Sequence, residues 1–326
     1  MGVADIPLKM GTDFLIRAVL PGLVAFFAFF KPLIYPLIYE LWNNLEFEGK
    51  LLIWLLIGFA IGISFMLFDW YIYQFFEGLR FWPKCLRRWK YKRIKEYFDN
   101  LQTDLENLKQ EKKQENLSYE KQQEISIEES ELKRKIREFP PDFTRDNSSK
   151  RHPVFPTRFG NVLCDYEEYS MNNYGMHMMV FWNHLFHNLS KETREEIKLQ
   201  GAIADLCVYL CFASFWSIFL GPVSLLIQKK SWNIILNYSI PLSSFVWLFL
   251  SIIAFKILYE LSITQHKSYG RLIKSVFDLY RGKLAKDLGF EIKKKLSRAN
   301  IEKEKALWEK YFRFYLDYKI PEDKDQ

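Results

Sequence analysis

The 326 residues are 49% apolar and 17% aromatic, with 29 Phe, 18 Tyr and 10 Trp, yet 26% are charged and the formal net charge is +7. Such a mixture excludes a disordered chain and a collagen, and 4 Cys are too few for a disulfide scaffold of this length. Apolar runs of membrane length alternate with segments of Lys, Glu, Arg and Gln. The expected fold class is therefore all-α: an integral membrane protein with four transmembrane helices and a helical cytoplasmic domain.

Crossing about 30 Å of hydrocarbon at about 1.5 Å per residue takes roughly 20 apolar residues. Four stretches meet that length, approximately Ala18 to Tyr39, Leu51 to Phe76, Ala202 to Ile227 and Leu236 to Phe255. The first opens at Arg17 and is interrupted by Lys31, Pro32 and Pro36. No small-residue cleavage site follows it, which predicts an anchor and not a removed signal peptide. Lys31 falls roughly 20 Å into the layer, counted from Ala18. It either snorkels outward along the proline distortion or faces an aqueous path, where a ring of lysines favours anions. The second span contains Gly58-x-x-x-Gly62, with Ser64 extending the small-residue face, a pattern for close helix approach. Asp69 lies near its inner end.

The next segment, 79-200, is expected to be cytoplasmic, with a coiled-coil-like hairpin at 79-139 and a second region at 153-200. It opens with Arg87, Arg88, Lys90, Lys92 and Arg93 interleaved with Trp82, Trp89 and Tyr91. Each such cation near a bilayer is attracted to anionic headgroups by about 1 kcal/mol. Because the cluster begins at the bilayer edge, anionic membrane lipid is the expected partner in preference to nucleic acid. Ile94, Phe98, Leu101, Leu105 and Leu108 then alternate steps of four and three, a short heptad seam, and Leu132 and Ile136 mark a returning helix. That seam either closes an antiparallel hairpin within one chain or joins subunits. Pro140-Pro141 ends it.

Pro156-Thr157-Arg158-Phe159-Gly160-Asn161 precedes a predicted helix over Val162 to Tyr169. His177, His184 and His187, with Met176, Met178, Met179 and Cys164 in the neighbourhood, are residue types that bind zinc or a softer metal. HExxH and a fixed fourth ligand are absent, so these are expected to be packed histidines, with no metal or cofactor. The four Cys read as free thiols, since neither CxxC nor zinc-ligand spacing occurs. Ser190 is the predicted N-cap of a helix that starts at Lys191 and runs into the third span.

Asp205 lies one turn into that span, and Lys256 closes the fourth. The fourth helix is expected to continue through Ile273, Phe277, Tyr280, Leu284 and Leu288 to a stop at Gly289. A last amphipathic helix carries Ile301, Trp308, Phe312 and Tyr315. The expected division is a first hairpin over 1-78, the segment 79-200, a second hairpin over 201-256 and terminal helices over 257-326. Charges at membrane depth are functional candidates by default. With antiparallel neighbours, Arg17, Asp69, Asp205 and Lys256 all fall near the inner leaflet, as an ionic clasp or an ion path.

The two outer turns hold only Lys50 beside Glu46 and Glu48, and Lys229 with Lys230, while most other basic residues lie elsewhere. By the positive-inside rule both termini and the middle segment belong in the cytoplasm of a bacterial inner membrane. Trp42 and Trp232 then mark the outer interface, and Trp70 and Trp82 the inner one.

One longer pattern remains. Pro156-Thr157-Arg158-x-Gly160-Asn161 is followed by Tyr174-Gly175 with Trp182 and Leu185, then by Tyr269-Gly270, Phe277-Asp278-Leu279-Tyr280-Arg281 and Leu288-Gly289. Over roughly residues 155 to 310 this resembles a group of uncharacterised bacterial multi-spanning membrane proteins. The resemblance implies a multi-pass bacterial protein and carries over no activity. Where the usual pattern has Pro and Arg after Trp182, this chain has Asn183 and His184. Arg158 can grip a carboxylate in fork geometry, and Asp278 and Arg281 share a helix face, so the loop at Arg158 is expected to dock on the helix of Asp278.

No GKS or GKT loop, GxSxG, or GxGxxG after a strand is present, and no enzyme is expected. Four short spans hardly enclose a wet path alone. The expected function is thus a homo-oligomeric, channel-like or membrane-permeabilising protein gated by its cytoplasmic helices, in a stress or defence setting. The alternative is a non-conducting scaffold that recruits a cytoplasmic protein partner.

Overall fold

The computed structural model describes residues 12–30, 45–113, 118–136, 139, 155–228, 242–290, 292 and 298–319. Helices dominate them, and no strand occurs among them. Three of these helices are long and apolar enough to cross a membrane. The chain divides into two compact units, 1–76 with 198–266, and 77–197 with 267–326.

The first unit contains α1 (Leu15–Phe30), α2 (Phe47–Leu67), α3 (Asp69–Glu77, up to Phe76) and the apolar parts of α9 (Lys191–Gln228) and α10 (Leu242–Asp287). Of the four predicted spans, α2, α9 and α10 reach membrane length, while α1 as described is a shorter apolar helix. The rest of the first stretch, with Lys31, Pro32 and Pro36, lies outside the described residues, as do Trp42, Lys229, Lys230 and Trp232. Within α1, residues Leu15–Val19 and Phe26–Phe30 form wide π-helical turns around the α-helical Leu20–Ala25. Pro21 accounts for the first of these: it has no N–H for the Arg17 carbonyl, and its ring crowds that oxygen.

α1 and α2 touch backbone to backbone. A methyl group placed on Gly62 would overlap the Ala18 carbonyl oxygen, and one on Gly22 would overlap the carbonyl of Gly58 and the main chain of Gly62. The Gly58-x-x-x-Gly62 face therefore meets Ala18 and Gly22 of the same chain, and dispersion across this close approach holds the pair. Elsewhere the unit is filled by aromatic rings. Phe65 stacks on Tyr209 at 5.5 Å, and Phe75 lies 4.9 Å from Phe215. Ser217 and Ser251, both buried, share a 2.9 Å hydrogen bond that ties α9 to α10.

In the second unit α4 (Lys84–Glu111) and α5 (Tyr119–Ile136) form an antiparallel hairpin. Phe98, Leu101 and Phe139 are its buried centre, flanked by Ile94, Leu132 and Ile136. The heptad seam thus closes within one chain. Lys112 and Lys133 both reach Glu129, at 2.8 and 2.5 Å, and Lys121 reaches Glu111 at 3.0 Å. Hydrogen bonds from Lys112 and then Lys133 hold the Glu129 carboxyl down from 4.5 to about 2. A depressed carboxyl pKa favours the folded state above the unfolded value, and this contribution fades as pH falls through the folded one. Amide chemical shifts of α4 and α5 should accordingly report loosening of the hairpin tip between about pH 4.5 and pH 2. Glu129→Gln should show the acid-state shifts already at neutral pH; wild-type-like shifts in that variant would refute the clamp.

The remainder comprises α6 (Arg158–Glu167), α7 (Tyr169–Tyr174), α8 (Met178–His187) and α11 (Arg298–Lys319), packed on the later part of α10. α6 starts four residues before the predicted Val162 because Thr157 caps it, its hydroxyl accepting the Gly160 N–H at 3.0 Å. A side chain on Gly160 would strike the Phe155 ring, so glycine here serves close packing. Ser190 does cap α9, accepting the Thr193 N–H at 3.2 Å. α10 stops at Asp287, and Gly289 follows in the left-handed region at φ 85°. Phe181, Leu185, Ile273, Phe277 and Trp308 form the buried core of this unit.

Candidate functional site

Two turns of identical pattern face each other in the first unit. Asp69 and Tyr73 lie one turn apart on α3, and Asp205 and Tyr209 one turn apart on α9. The helices run antiparallel here and exchange hydrogen bonds. Tyr209 donates to Asp69 Oδ1 at 2.8 Å, and Tyr73 donates to Asp205 Oδ1. Arg17, from the widened turn of α1, pairs with the other oxygen of Asp205. Asp205 is only 5% exposed, so a charge there must be paired to persist.

The cluster extends to α10. His266, 1% exposed, places Nε2 2.9 Å from the Tyr73 hydroxyl and Nδ1 2.9 Å from the Ser262 carbonyl. Four helices thus meet at Arg17, Asp69, Tyr73, Asp205, Tyr209 and His266. Of the intramembrane charges singled out in the sequence, Arg17 and Asp205 are joined directly, and Asp69 enters through Tyr209. Lys256 is exposed and stands outside the cluster. Lys31 lies outside the described residues. The tyrosines and His266 were not anticipated, although the repeated Asp-x-x-x-Tyr spacing at 69–73 and 205–209 was a readable signal for the former.

The second unit has its own polar network. The Asp278 carboxylate accepts hydrogen bonds from Tyr169 at 2.9 Å and Tyr174 at 2.5 Å. Arg281 lies over the Tyr174 ring at 4.0 Å and donates to Glu304 at 2.9 Å; Glu304 in turn accepts from Trp308 at 3.4 Å. Burial, then the Asp278 hydrogen bond, pushes the Tyr174 hydroxyl well above the ordinary tyrosine range. Tyr174 is therefore a neutral donor at cellular pH. Asp278 and Arg281 do share a network, but the carboxylate is gripped by α7, not by Arg158, which is half-buried in the first turn of α6. The segment that Arg158 opens does lie on the helix of Asp278, through the Lys274 ion pair to Asp165 at 2.7 Å and the Tyr166–Tyr269 ring contact, while the Asp278 carboxylate itself joins a clasp of α7, α10 and α11.

The three histidines are not on one helix. Gly175 interrupts the helix at φ 75°, and His177 precedes the first residue of α8 and stacks on Phe312 at 3.8 Å. His187 bonds back to the Asn183 carbonyl at 2.7 Å. Among the described residues no group of three His, Cys, Asp or Glu is placed to hold a metal ion. Burial, then the charges of Glu167 and Asp165, pushes the Cys164 thiol up to about 12, so it stays protonated. In the basic segment Arg88, Lys92 and Arg93 are exposed and Arg87 and Lys90 half-buried, and Arg93 covers the Trp89 ring at 4.5 Å. No protein-family model, no curated protein and no solved structure matches this chain.

Proposed function

We propose that the chain is a multi-pass protein of a bacterial inner membrane, with four spans and both termini cytoplasmic. In this reading it works as a homo-oligomeric, channel-like component gated by its cytoplasmic helices. The observation that supports it is the ionisable cluster of Arg17, Asp205, Tyr73 and His266, which joins two helices of membrane length, α9 and α10, to the shorter α1 and α3. Ionisable groups are costly in hydrocarbon and concentrate where ions or protons are handled. The helices that bear Asp205 and His266 are also the ones that supply residues to the second unit, α9 up to Ile197 and α10 from Lys267 onward. A shift of those helices would act on the cluster directly. Exposed apolar side chains such as Leu52, Leu56 and Phe249 are suited to lipid or to neighbouring subunits.

Ion flux through liposomes containing the purified protein tests the proposal. Dose-dependent conductance that falls at least about tenfold in Asp205→Asn is the expected outcome, a loss of about 1.4 kcal/mol or more in the conducting state. A protein that is monomeric in native-lipid discs and silent in liposomes would overturn it. The second reading, a membrane-bound scaffold, is favoured by the exposed basic and aromatic face of α4, which suits anionic headgroups. A silent but oligomeric protein would support that reading.

A further inference from the structure

The α4–α5 hairpin carries its charge in two blocks of opposite sign. One end, residues 84–98 of α4 with 132–136 of α5, holds ten Lys and Arg against a single carboxylate, Glu96. The other end, residues 99–113 with 118–131, holds nine Asp and Glu against four Lys. At this acidic end Lys112 and Lys121 are engaged by Glu129 and Glu111. The basic end has no comparable supply of opposite charge. Residues 90 and 106 are about 24 Å apart along α4 at about 1.5 Å per residue, well beyond the screening length of about 8 Å, so the two blocks act on their surroundings separately.

The basic end presents apolar groups together with its cations. Leu86, Trp89 and Arg93 recur at steps of three and four on a side of α4 away from the seam of Phe98 and Leu101, and all three are exposed. Arg93 and Lys90 sit over the Trp89 ring, at 4.5 and 5.4 Å. Just before the helix, Phe81 takes left-handed backbone at φ 62° and leaves its ring 73% exposed. A bulky residue rarely adopts that conformation, and burial of the ring within the chain does not account for it here.

We propose that the basic end of the hairpin clamps an anionic bilayer surface, with Phe81, Leu86 and Trp89 among the headgroups, while the acidic end is held off that surface by its own charge. The inference rests on the lipid contact of the scaffold reading and adds its direction and its control. The hairpin stands with its tip in water, and the anionic lipid content of the membrane sets how firmly it does so. Rings flanked by cations suit the headgroup layer, where apolar faces meet acyl chains and cations meet phosphate. Each Lys or Arg near such a surface strengthens the attraction roughly fivefold, and a carboxylate is repelled. A bilayer is favoured over nucleic acid because α2, of membrane length, ends at Leu67, with only α3 and a short connection before α4.

The test uses the full chain in lipid nanodiscs, with a fluorophore on Cys85, an exposed thiol one turn before Trp89. Labelling of the other cysteines is subtracted with Cys85→Ser. Acrylamide, an uncharged quencher, should reach the dye freely in phosphatidylcholine discs and several-fold less well once phosphatidylglycerol is added. A dye at Ile127→Cys in the acidic half, on the Cys85→Ser background, should be quenched equally in both. Arg88→Gln with Lys92→Gln and Arg93→Gln should weaken the contact roughly 100-fold and abolish protection at Cys85. About 1 M NaCl, which shortens the screening length to about 3 Å, should do the same in the wild-type protein. Equal quenching at Cys85 in the two compositions would overturn the lipid contact and the inference together, and that measurement needs no variant to fold. Protection at Cys85 and Ile127→Cys alike would overturn the inference alone, since the hairpin then lies flat on lipid. Protection at Cys85 by single-stranded RNA in neutral discs, as strong as that by phosphatidylglycerol, would give the face to nucleic acid instead.

Discussion

Asp205→Ala is expected to lower stability by about 3 kcal/mol, the lower end of the cost of breaking a buried ion pair, because the Arg17 side chain left behind is 46% exposed. The variant loses more than a pair. Arg17 loses its carboxylate partner, and the Tyr73 hydroxyl loses its bond to Asp205. Tyr209→Phe should cost less, about 1.5–3 kcal/mol, because it removes a single hydrogen bond to the Asp69 carboxylate. Lys256→Ala is the control. Its side chain is exposed, and surface changes away from special features stay within about 0.5 kcal/mol. Unfolding in mild detergent, followed by helical circular dichroism, gives all three. A cost for Asp205→Ala no greater than that for Lys256→Ala would remove the cluster as the feature that holds these helices together.

Much of this cluster's surroundings was legible in the sequence, and the reason is hydrocarbon length. The apolar runs of α2, α9 and α10 are long enough to cross hydrocarbon, and that length is readable whatever they pack against. Capping chemistry was equally local, so Ser190 and Gly289 marked helix ends correctly. Thr157 was missed because a cap is recognised by the helix that follows it, and the apolar pattern there began only at Val162. Partner choice is another matter. Arg158 and Asp278 were paired on charge alone, yet Asp278 is claimed by the hydroxyls of Tyr169 and Tyr174, which bring no charge signal. His266 was invisible for a similar reason. It lies on a long helix with no spacing motif, and only the approach of Tyr73 from another helix gives it a role.

The second large effect concerns Gly62. On helix propensity alone, Gly62→Ala in the middle of α2 should stabilise the protein by about 1 kcal/mol. The packing reverses the sign. The new methyl would fall on the carbonyl oxygen of Ala18, a main-chain atom that cannot rotate aside as a side chain would. α1 must back away along its whole contact, and overpacking of this kind costs about 1–3 kcal/mol beyond what propensity returns. Gly49→Ala separates the two effects: it lies near the start of the same helix, and its nearest neighbour would be a Leu45 side-chain carbon at an ordinary 3.4 Å. That variant should be neutral or slightly stabilised. Ala18→Gly should fail to rescue Gly62→Ala, because the obstructing oxygen remains when the methyl is gone; rescue would place the clash in the side chain and refute this packing. Since α1 also carries Arg17, its displacement draws the guanidinium away from Asp205. Gly62→Ala combined with Asp205→Ala should therefore cost less than the sum of the two, a coupling that independent sites do not show.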